Sequence, residues 1–274
     1  SHALSAPTCY IALPLERSFQ ATLLAQQMGI PFRCDFPSGS LPAGVEYIPA
    51  RDETSYQIDF TVQLDVTGHA RGVLVDWMRG VCSEFRLSER AFQLSVGYLD
   101  CFLTCHVVPR HHFQCLGATC LHLASKNLQR DHGKLSLQRT SGLCVGQGPE
   151  ELVQAFESCL LRTFQMKSPQ PPLLDFMGSF SLEEGLEMVL CSQFCDMVLC
   201  DPFTTSMDRA YLASHIRALA RMTHDAWSQG NQITECPADV DSLVFKAITS
   251  SPREYMSHVH RSTSHIVDSA LKQP

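Results

Sequence analysis

The chain has 274 residues, 45% of them hydrophobic, which is enough for one large domain or two small ones with a substantial core. Its formal net charge of −7 argues against a nucleic-acid surface, which needs clustered lysine and arginine. The sequence has no run of about 18 apolar residues, and no basic segment followed by an apolar one stands at its beginning. We therefore expect neither a membrane span nor a secretion signal.

The thirteen cysteines predict free thiols rather than disulfides or a metal site. Their number is odd, no C-x-x-C motif occurs, and most lie in apolar helical runs, where a thiol acts as a small hydrophobe. We expect a reduced protein of the nucleus and cytoplasm, without metal or cofactor. Zinc at Cys105, His106, His111 and His112 is the disfavoured alternative, because the usual ligand spacing is missing.

Residues 1–66 predict one amphipathic helix followed by an irregular segment. The helix carries apolar residues at helical spacing, namely Leu15, Phe19, Leu23, Leu24 and Met28. It ends before Pro31, and prolines and glycines then recur to residue 49, which predicts a long loop.

Three helices are predicted between residues 67 and 126. The first begins near Thr67, and its apolar stripe consists of Leu74, Trp77, Met78, Val81 and Phe85. The second follows a break at residues 86–88, with a stripe of Leu94, Tyr98, Cys101, Phe102 and Cys105. The third, residues 111–125, is apolar nearly all the way round and is predicted to be the axis of a bundle. Gly117 and Ala118 are small enough for a neighbouring helix to approach closely.

Two charges beside these stripes call for an explanation. Arg71 and Asp100 each adjoin an apolar face, and a charge removed from water is tolerated when it meets an opposite charge with hydrogen bonds. We predict that they pair between the first and second helices. The alternative is that both are solvated.

Helical patterns continue to the end of the chain. A short helix is predicted over residues 135–143 and a fifth helix from Pro149, followed by a proline-rich linker at residues 167–172. Beyond residue 173 we find helical stripes and no β pattern. The stripes comprise Leu182, Leu186, Val189, Leu190, Phe194, Met197 and Val198, then Leu212, Ile216 and Leu219, then Val240, Leu243, Val244 and Ile248, and a last set from Tyr255 to Leu271.

Several of these segments resemble the cyclin box, and their residues are most similar to those of the D-type cyclins and their herpesviral relatives. The matching segments are Arg71 to Trp77, Tyr98-Leu99-Asp100, Leu116-Gly117-Ala118-Thr119-Cys120, Leu123-Ala124-Ser125-Lys126 and Pro149-Glu150-Glu151-Leu152. The resemblance implies an all-α fold of two tandem five-helix cyclin-fold bundles with an N-terminal helix. We place the bundles at residues 67–168 and 173–274, after the N-terminal segment 1–66.

Cyclins share an arginine and an aspartate that pair internally, a leucine, a lysine and a glutamate. The resemblance implies that the first four are Arg71, Asp100, Leu116 and Lys126. The glutamate depends on register. Counting forward from Pro149 gives Phe156, whereas counting back from the apolar residues of the fifth helix gives Glu157, and one residue turns a helix by about 100°. We choose Glu157, because the apolar spacing fixes the buried face.

The resemblance implies a regulatory subunit that binds and activates a cyclin-dependent protein kinase and so controls cell-cycle progression. Cyclins stabilise the inward position of kinase helix C. Lys126 and Glu157 are the implied polar anchors, and Leu161, Phe164 and Met166 the implied apolar contacts, although these three also fit a core. The sequence shows no catalytic motif, so we predict a binding protein and not an enzyme.

Two alternatives stay open. Asn127, Leu128 and Gln129 depart from the cyclin pattern, which would suit a non-activating adaptor that binds a kinase or another protein. The chain also lacks the Leu-x-Cys-x-Glu motif that docks pocket proteins on D-type cyclins. A transcription factor of the same fold that touches DNA is disfavoured by the acidic charge.

Many cyclins dock Arg-x-Leu segments of substrates or inhibitors on a patch of the first helix. By resemblance this patch consists of Ala70, Leu74, Trp77, Gly80 and Gln114. Ala70 replaces a methionine and Gly80 replaces an acidic residue, so the carboxylate that would meet the arginine is missing. We predict weak docking of Arg-x-Leu peptides.

Overall fold

The computed structural model describes residues 41–48, 56–63, 65–144, 149–177 and 185–249. The predicted helices at residues 15–28 and 251–271 lie outside the described residues. The chain divides into two units, residues 1–36 and 37–274, and every described residue belongs to the second.

The described residues form nine α-helices and one antiparallel pair of two-residue strands. The helices are α1 Gly68–Glu84, α2 Glu89–Cys105, α3 Arg110–Asn127, α4 Leu137–Gly142, α5 Pro149–Met166, α6 Leu174–Met177, α7 Leu186–Cys200, α8 Arg209–Ser228 and α9 Ser242–Thr249, with a 3₁₀ turn at Pro202–Thr204. The strands are β1 Glu46–Tyr47 and β2 His106–Val107. The all-α prediction is confirmed, and within the described part of the chain every helix is too short or too polar to cross a bilayer.

Short polar side chains fix where the helices begin. Thr67 caps α1 by accepting a hydrogen bond from the amide of Ala70, and Ser88 caps α2 by accepting one from Ala91. Arg86, with a φ of 52°, makes the turn between these helices. The predicted start at Thr67 and break at residues 86–88 therefore agree with the observed helix ends.

Helix α3 is the centre of the first bundle, as predicted from its apolar surface. It packs against α1, α2, α4 and α5, and its residues from Cys115 to Ser125 are all buried. A Cβ atom added at Gly117 would lie 2.9 Å from Cδ1 of Leu74, so the absence of a side chain lets α1 approach α3.

The segment before α1 is tied to the turn between α2 and α3. Strands β1 and β2 pair there, with Tyr47 opposite His106. The Gln63 amide donates to the carbonyl oxygens of Leu103, at 3.0 Å, and His106, at 2.6 Å, and its oxygen accepts from the amide of Val108 at 3.1 Å. Part of the predicted loop is therefore held against the bundle.

The predicted linker at residues 167–172 is not helical, and part of it is buried. Lys167 is 6% exposed and Gln170 5%. The Gln170 carbonyl oxygen would lie 2.6 Å from a Cβ atom added at Gly97, so this backbone packs directly on α2. The segment is thus part of the packed structure as well as a connection.

Helices α7, α8 and α9 pack on one another beyond the linker. Leu212, Ile216 and Leu219 lie in their interior as the apolar stripe predicts. The helix marked by Val240, Leu243, Val244 and Ile248 is present as α9, although the Leu243 side chain is 51% exposed.

Candidate functional site

The site inferred from the sequence begins with Lys126, at the end of α3. This helix is buried as far as Ser125 and ends at Asn127, so Lys126 occupies its last turn, where a cation interacts favourably with the helix dipole. The Lys126 side chain is 37% exposed. The ammonium group is therefore available to a partner at the rim of the bundle.

Helix α5 supplies the second charge, and its register is the one chosen from the apolar spacing. Phe156 is fully buried, with its ring 6.1 Å from that of Phe102 in an edge-on arrangement. Glu157 lies one position further round the helix, and its side chain is 18% exposed. The buried ring thus fixes the carboxylate at the surface.

Lys126 and Glu157 meet across the two helices. The Lys126 Nζ atom donates to Oε1 of Glu157 over 2.6 Å, a short charge-assisted hydrogen bond. The arrangement places one cation and one anion side by side at a partly exposed rim. The structure therefore brings together the two anchors predicted from the sequence, while their binding role stays a prediction.

A third polar group, which the sequence interpretation missed, lies beneath this pair. His122, one helical turn before Lys126, is 6% exposed. Its Nδ1 atom lies 2.8 Å from the Leu135 carbonyl oxygen, and its Nε2 atom lies 3.9 Å from Oε2 of Glu157. Burial lowers the pKa of His122, partly offset by the Leu135 carbonyl and Glu157, while Lys126 lowers it further. The available signal was a histidine in the middle of a helix that is apolar nearly all the way round.

The predicted apolar contacts separate into two kinds. Leu161 and Met166 are partly exposed near the end of α5. Phe164 is 3% exposed, and the centre of its ring lies 4.6 Å from that of Tyr98, with the two rings tilted by 39°. The prediction that Phe164 supplies a surface contact is therefore corrected, because it lies one turn after the buried Leu160 and shares its inward face.

The internal pair Arg71 and Asp100 is present and buried, at 1% and 2% exposure. The Arg71 Nε atom donates to one carboxylate oxygen of Asp100 at 2.6 Å, and Nη2 donates to the other at 2.7 Å. The Arg71 Nη1 atom donates to the carbonyl oxygen of Leu199, at the end of α7, over 2.9 Å. This pair joins α1 to α2 and both to the second half of the chain.

The patch predicted on the first helix is only partly accessible. Leu74 is 6% exposed because it packs against Gly117. The other four members are partly exposed, namely Ala70, Trp77, Gly80 and Gln114. The structure therefore leaves an indole and an amide for a partner to contact, but Leu74 contributes to the core.

The described residues contain no cluster of three or more histidine, cysteine, aspartate or glutamate side chains placed to hold a metal ion. His106, one residue of the disfavoured zinc set, is buried and stacks on Phe102 at 4.1 Å. Burial lowers its pKa to about 4.

Comparisons with known proteins agree with this architecture. The sequence model of the family described as "Cyclin, N-terminal domain" matches residues 47–167. The solved structure of a viral cyclin from herpesvirus saimiri superposes with a TM-score of 0.53 over 90% of this chain and 96% of that chain, at 18% identity. This likeness shows the fold: an all-α protein with the architecture of a cyclin.

The curated relatives that the chain resembles are also named cyclins. Putative cyclin-A3-1 of Arabidopsis thaliana is 25% identical over 229 residues, which covers 72% of this chain and 62% of the relative. Cyclin-A3-1 of Oryza sativa subsp. japonica is 27% identical over 185 residues, 62% of this chain and 48% of the relative. G1/S-specific cyclin-D2 of Rattus norvegicus is 43% identical over 65 residues, 24% of this chain and 23% of the relative.

Residues 47–167 thus match the sequence model of the N-terminal cyclin domain, and the relatives that the chain resembles are named cyclins. The chain spans about half to three fifths of the length of Putative cyclin-A3-1 and Cyclin-A3-1.

Proposed function

We propose that this protein is a regulatory subunit that binds a cyclin-dependent protein kinase and activates it by stabilising the inward position of kinase helix C. The observation that carries the proposal is the Lys126–Glu157 pair at the rim where α3 and α5 meet. In this role the protein controls cell-cycle progression and is not itself an enzyme. Its action in the nucleus and cytoplasm stays a prediction.

The relatives support the cell-cycle part of the proposal. One is named a G1/S-specific cyclin and another, from Daucus carota, a G2/mitotic-specific cyclin. The latter is 26% identical over 169 residues, 59% of this chain and 49% of that relative. Shared residues alone do not assign this chain to one of these phases, so the proposal names the class of kinase and no phase.

The two anchors have bonding capacity left for a kinase. A lysine ammonium has three donors, and Lys126 uses one on Glu157 at 2.6 Å. The second carboxylate oxygen of Glu157 lies 3.9 Å from His122, beyond hydrogen-bond reach. Free donors and a free acceptor therefore stand together, a combination that suits the backbone carbonyl and amide groups of a partner.

Kinase activation requires a minimum difference in binding free energy between the active and inactive kinase states. To shift a kinase from 1% to 99% active, a partner must bind the active state about 5.5 kcal/mol more tightly than the inactive one. For comparison, truncating one partner of a buried, hydrogen-bonded charge pair that spans an interface costs about 2–5 kcal/mol, much of which is the penalty for the charge left unpaired. A contact of that size, once buried against a kinase, is comparable with the required difference.

A non-activating adaptor is the second candidate, and the residue after Lys126 favours it. The Asn127 amide donates to the Tyr98 hydroxyl over 2.8 Å, so this polar side chain is engaged within the bundle. Such a protein would bind a kinase through Lys126 and Glu157 without completing the contacts that hold helix C inward.

A panel of cyclin-dependent kinases separates these functions. Wild-type protein, Lys126→Ala and Glu157→Ala are each mixed with every kinase, and retention and histone H1 phosphorylation are measured. Arg221→Ala is the matched control, because Arg221 belongs to another inter-helix ion pair, with Glu187 at 3.4 Å on α7. We expect one kinase to be retained and activated by wild type and the control, and much less by the two anchor variants.

Retention with histone H1 phosphorylation at background would support the adaptor instead. Retention of no kinase by the wild-type protein would contradict the activator and the kinase-binding adaptor alike.

A further inference from the structure

His122 is a buried polar side chain of α3, and each of its two ring nitrogens lies close to one oxygen atom. The Leu135 carbonyl oxygen accepts hydrogen bonds only, so the Nδ1 atom at 2.8 Å must carry the proton. In the neutral ring Nε2 therefore has none, and its lone pair faces Oε2 of Glu157 at 3.9 Å. Two acceptors face each other across this gap, and a proton on Nε2 would turn the contact into an ion pair.

The charged groups that act on His122 come from two helices. Helix α5 contributes Glu157, which favours the protonated ring, and α3 itself contributes Lys126, which opposes it. The segment before α4 contributes the Leu135 carbonyl. Burial is the largest influence and lowers the pKa of His122, so the ring is neutral near pH 7.

We propose that His122 is a positioning residue for Glu157, and that protonation of Nε2 draws Oε2 of Glu157 inward and withdraws it from the kinase. The inference rests on the proposed function, in which that oxygen is offered to the partner. Because proton binding at His122 and kinase binding at Glu157 then compete for one carboxylate, each weakens the other. The kinase affinity is expected to fall on acidification.

The contact itself can be tested without a kinase. The ring nuclei of His122 are followed by NMR between about pH 5 and about pH 8, a range in which histidine titrates. Glu157→Gln should lower the midpoint, because the carboxylate that favours the protonated ring is gone. The ring signals of the exposed His132 are recorded in the same samples as a control. An unchanged His122 midpoint would overturn the inference.

The competition is tested on the kinase selected by the panel. Its affinity for wild-type protein should fall as the pH drops below the measured midpoint of His122, by up to about tenfold, which corresponds to one pKa unit of coupling. In His122→Phe and His122→Gln, two variants of different shape, the kinase affinity should no longer decrease in this way on acidification. In His132→Gln the decrease should remain.

Parallel decreases in wild type and both His122 variants would contradict the competition. If no kinase binds at any pH, the proposed function fails, while the NMR titration still decides whether His122 and Glu157 are coupled.

Discussion

At the scale of single residues, the buried guanidinium of Arg71 holds several helices together. It bonds both oxygens of Asp100 and the Leu199 carbonyl, so it connects three helices. Although burial opposes the charge, Asp100 holds the pKa of Arg71 above its usual value. Removing one partner would leave the other charge buried without compensation.

We predict that Arg71→Ala lowers the free energy of unfolding by about 3–5 kcal/mol, the usual cost of leaving half of a buried ion pair. Urea unfolding followed by circular dichroism measures it. Arg221→Ala, which removes a side chain that is 60% exposed, should cost less than about 1 kcal/mol. Equal effects of the two variants would show that the Arg71 network contributes no more than a surface pair.

The sequence predicted some of these residues and missed others for identifiable reasons. The register of α5 followed from apolar spacing, because Phe156 and Leu160 must share a buried face. Phe164 continues that face, and the family resemblance wrongly assigned it a surface role. His122 was missed because its partners, Leu135 and Glu157, are distant in sequence and no local pattern brings them together.

At the scale of elements, close backbone approaches set how the pieces pack. Gly97 lies in the middle of α2, where alanine would usually be the better helix former. Its position is explained by the Gln170 carbonyl oxygen of the linker, 2.6 Å from where a Cβ atom would lie. Since that oxygen belongs to backbone, it cannot rotate away as a side chain could.

We predict that Gly97→Ala destabilises the protein by about 1–3 kcal/mol, as overpacking usually does. Gly142→Ala is the control, because Gly142 is also a helical glycine, at the end of α4, but has no atom within 4 Å of its would-be Cβ. The control should be neutral or stabilising by up to about 1 kcal/mol. Thermal unfolding of both variants checks this, and a stable Gly97→Ala protein would refute the close packing of the linker.

Elements with a long apolar period were predictable, and elements without one were not. Apolar residues recur at helical spacing over several turns in α1, α2, α3 and α5. Strands β1 and β2 have two residues each, too few for any period, and their pairing joins segments about 60 residues apart. The burial of the linker was also unpredictable, because proline-rich composition predicts stiffness and not what the segment packs against.

At the scale of the whole molecule, a charged cluster joins the two halves. Arg79 of α1 pairs with Glu89 of α2 at 2.6 Å and with Asp196 of α7 at 2.8 Å. Burial raises the pKa of Asp196 well above its ordinary value of 3.8, and the nearby carboxylate of Glu89 raises it further, against the opposing effect of Arg79. The folded state therefore favours the protonated Asp196.

The sign of the pH dependence follows from that shift. A group whose pKa is raised on folding contributes stability that is fully present below its unfolded pKa and is lost as the pH rises through its folded pKa. We predict that the free energy of unfolding of wild type falls as the pH rises from about 3.8 towards the raised pKa of folded Asp196. The fall should be smaller in Asp196→Asn, whose amide cannot titrate. Denaturant unfolding at several pH values measures the difference.

Asp225→Asn, which changes a side chain that is 63% exposed, should follow the wild-type curve. Parallel curves for wild type and Asp196→Asn would contradict the raised pKa.

The most direct test of the whole account is the affinity of the selected kinase for wild type, Lys126→Ala, Glu157→Ala and the double variant, measured by calorimetry. We predict that each single variant loses about 2–5 kcal/mol of binding free energy while its unfolding free energy changes by less than about 1 kcal/mol. Arg221→Ala should bind like wild type. Kinase affinity that is the same in all five proteins would contradict the claim that this rim is the binding site.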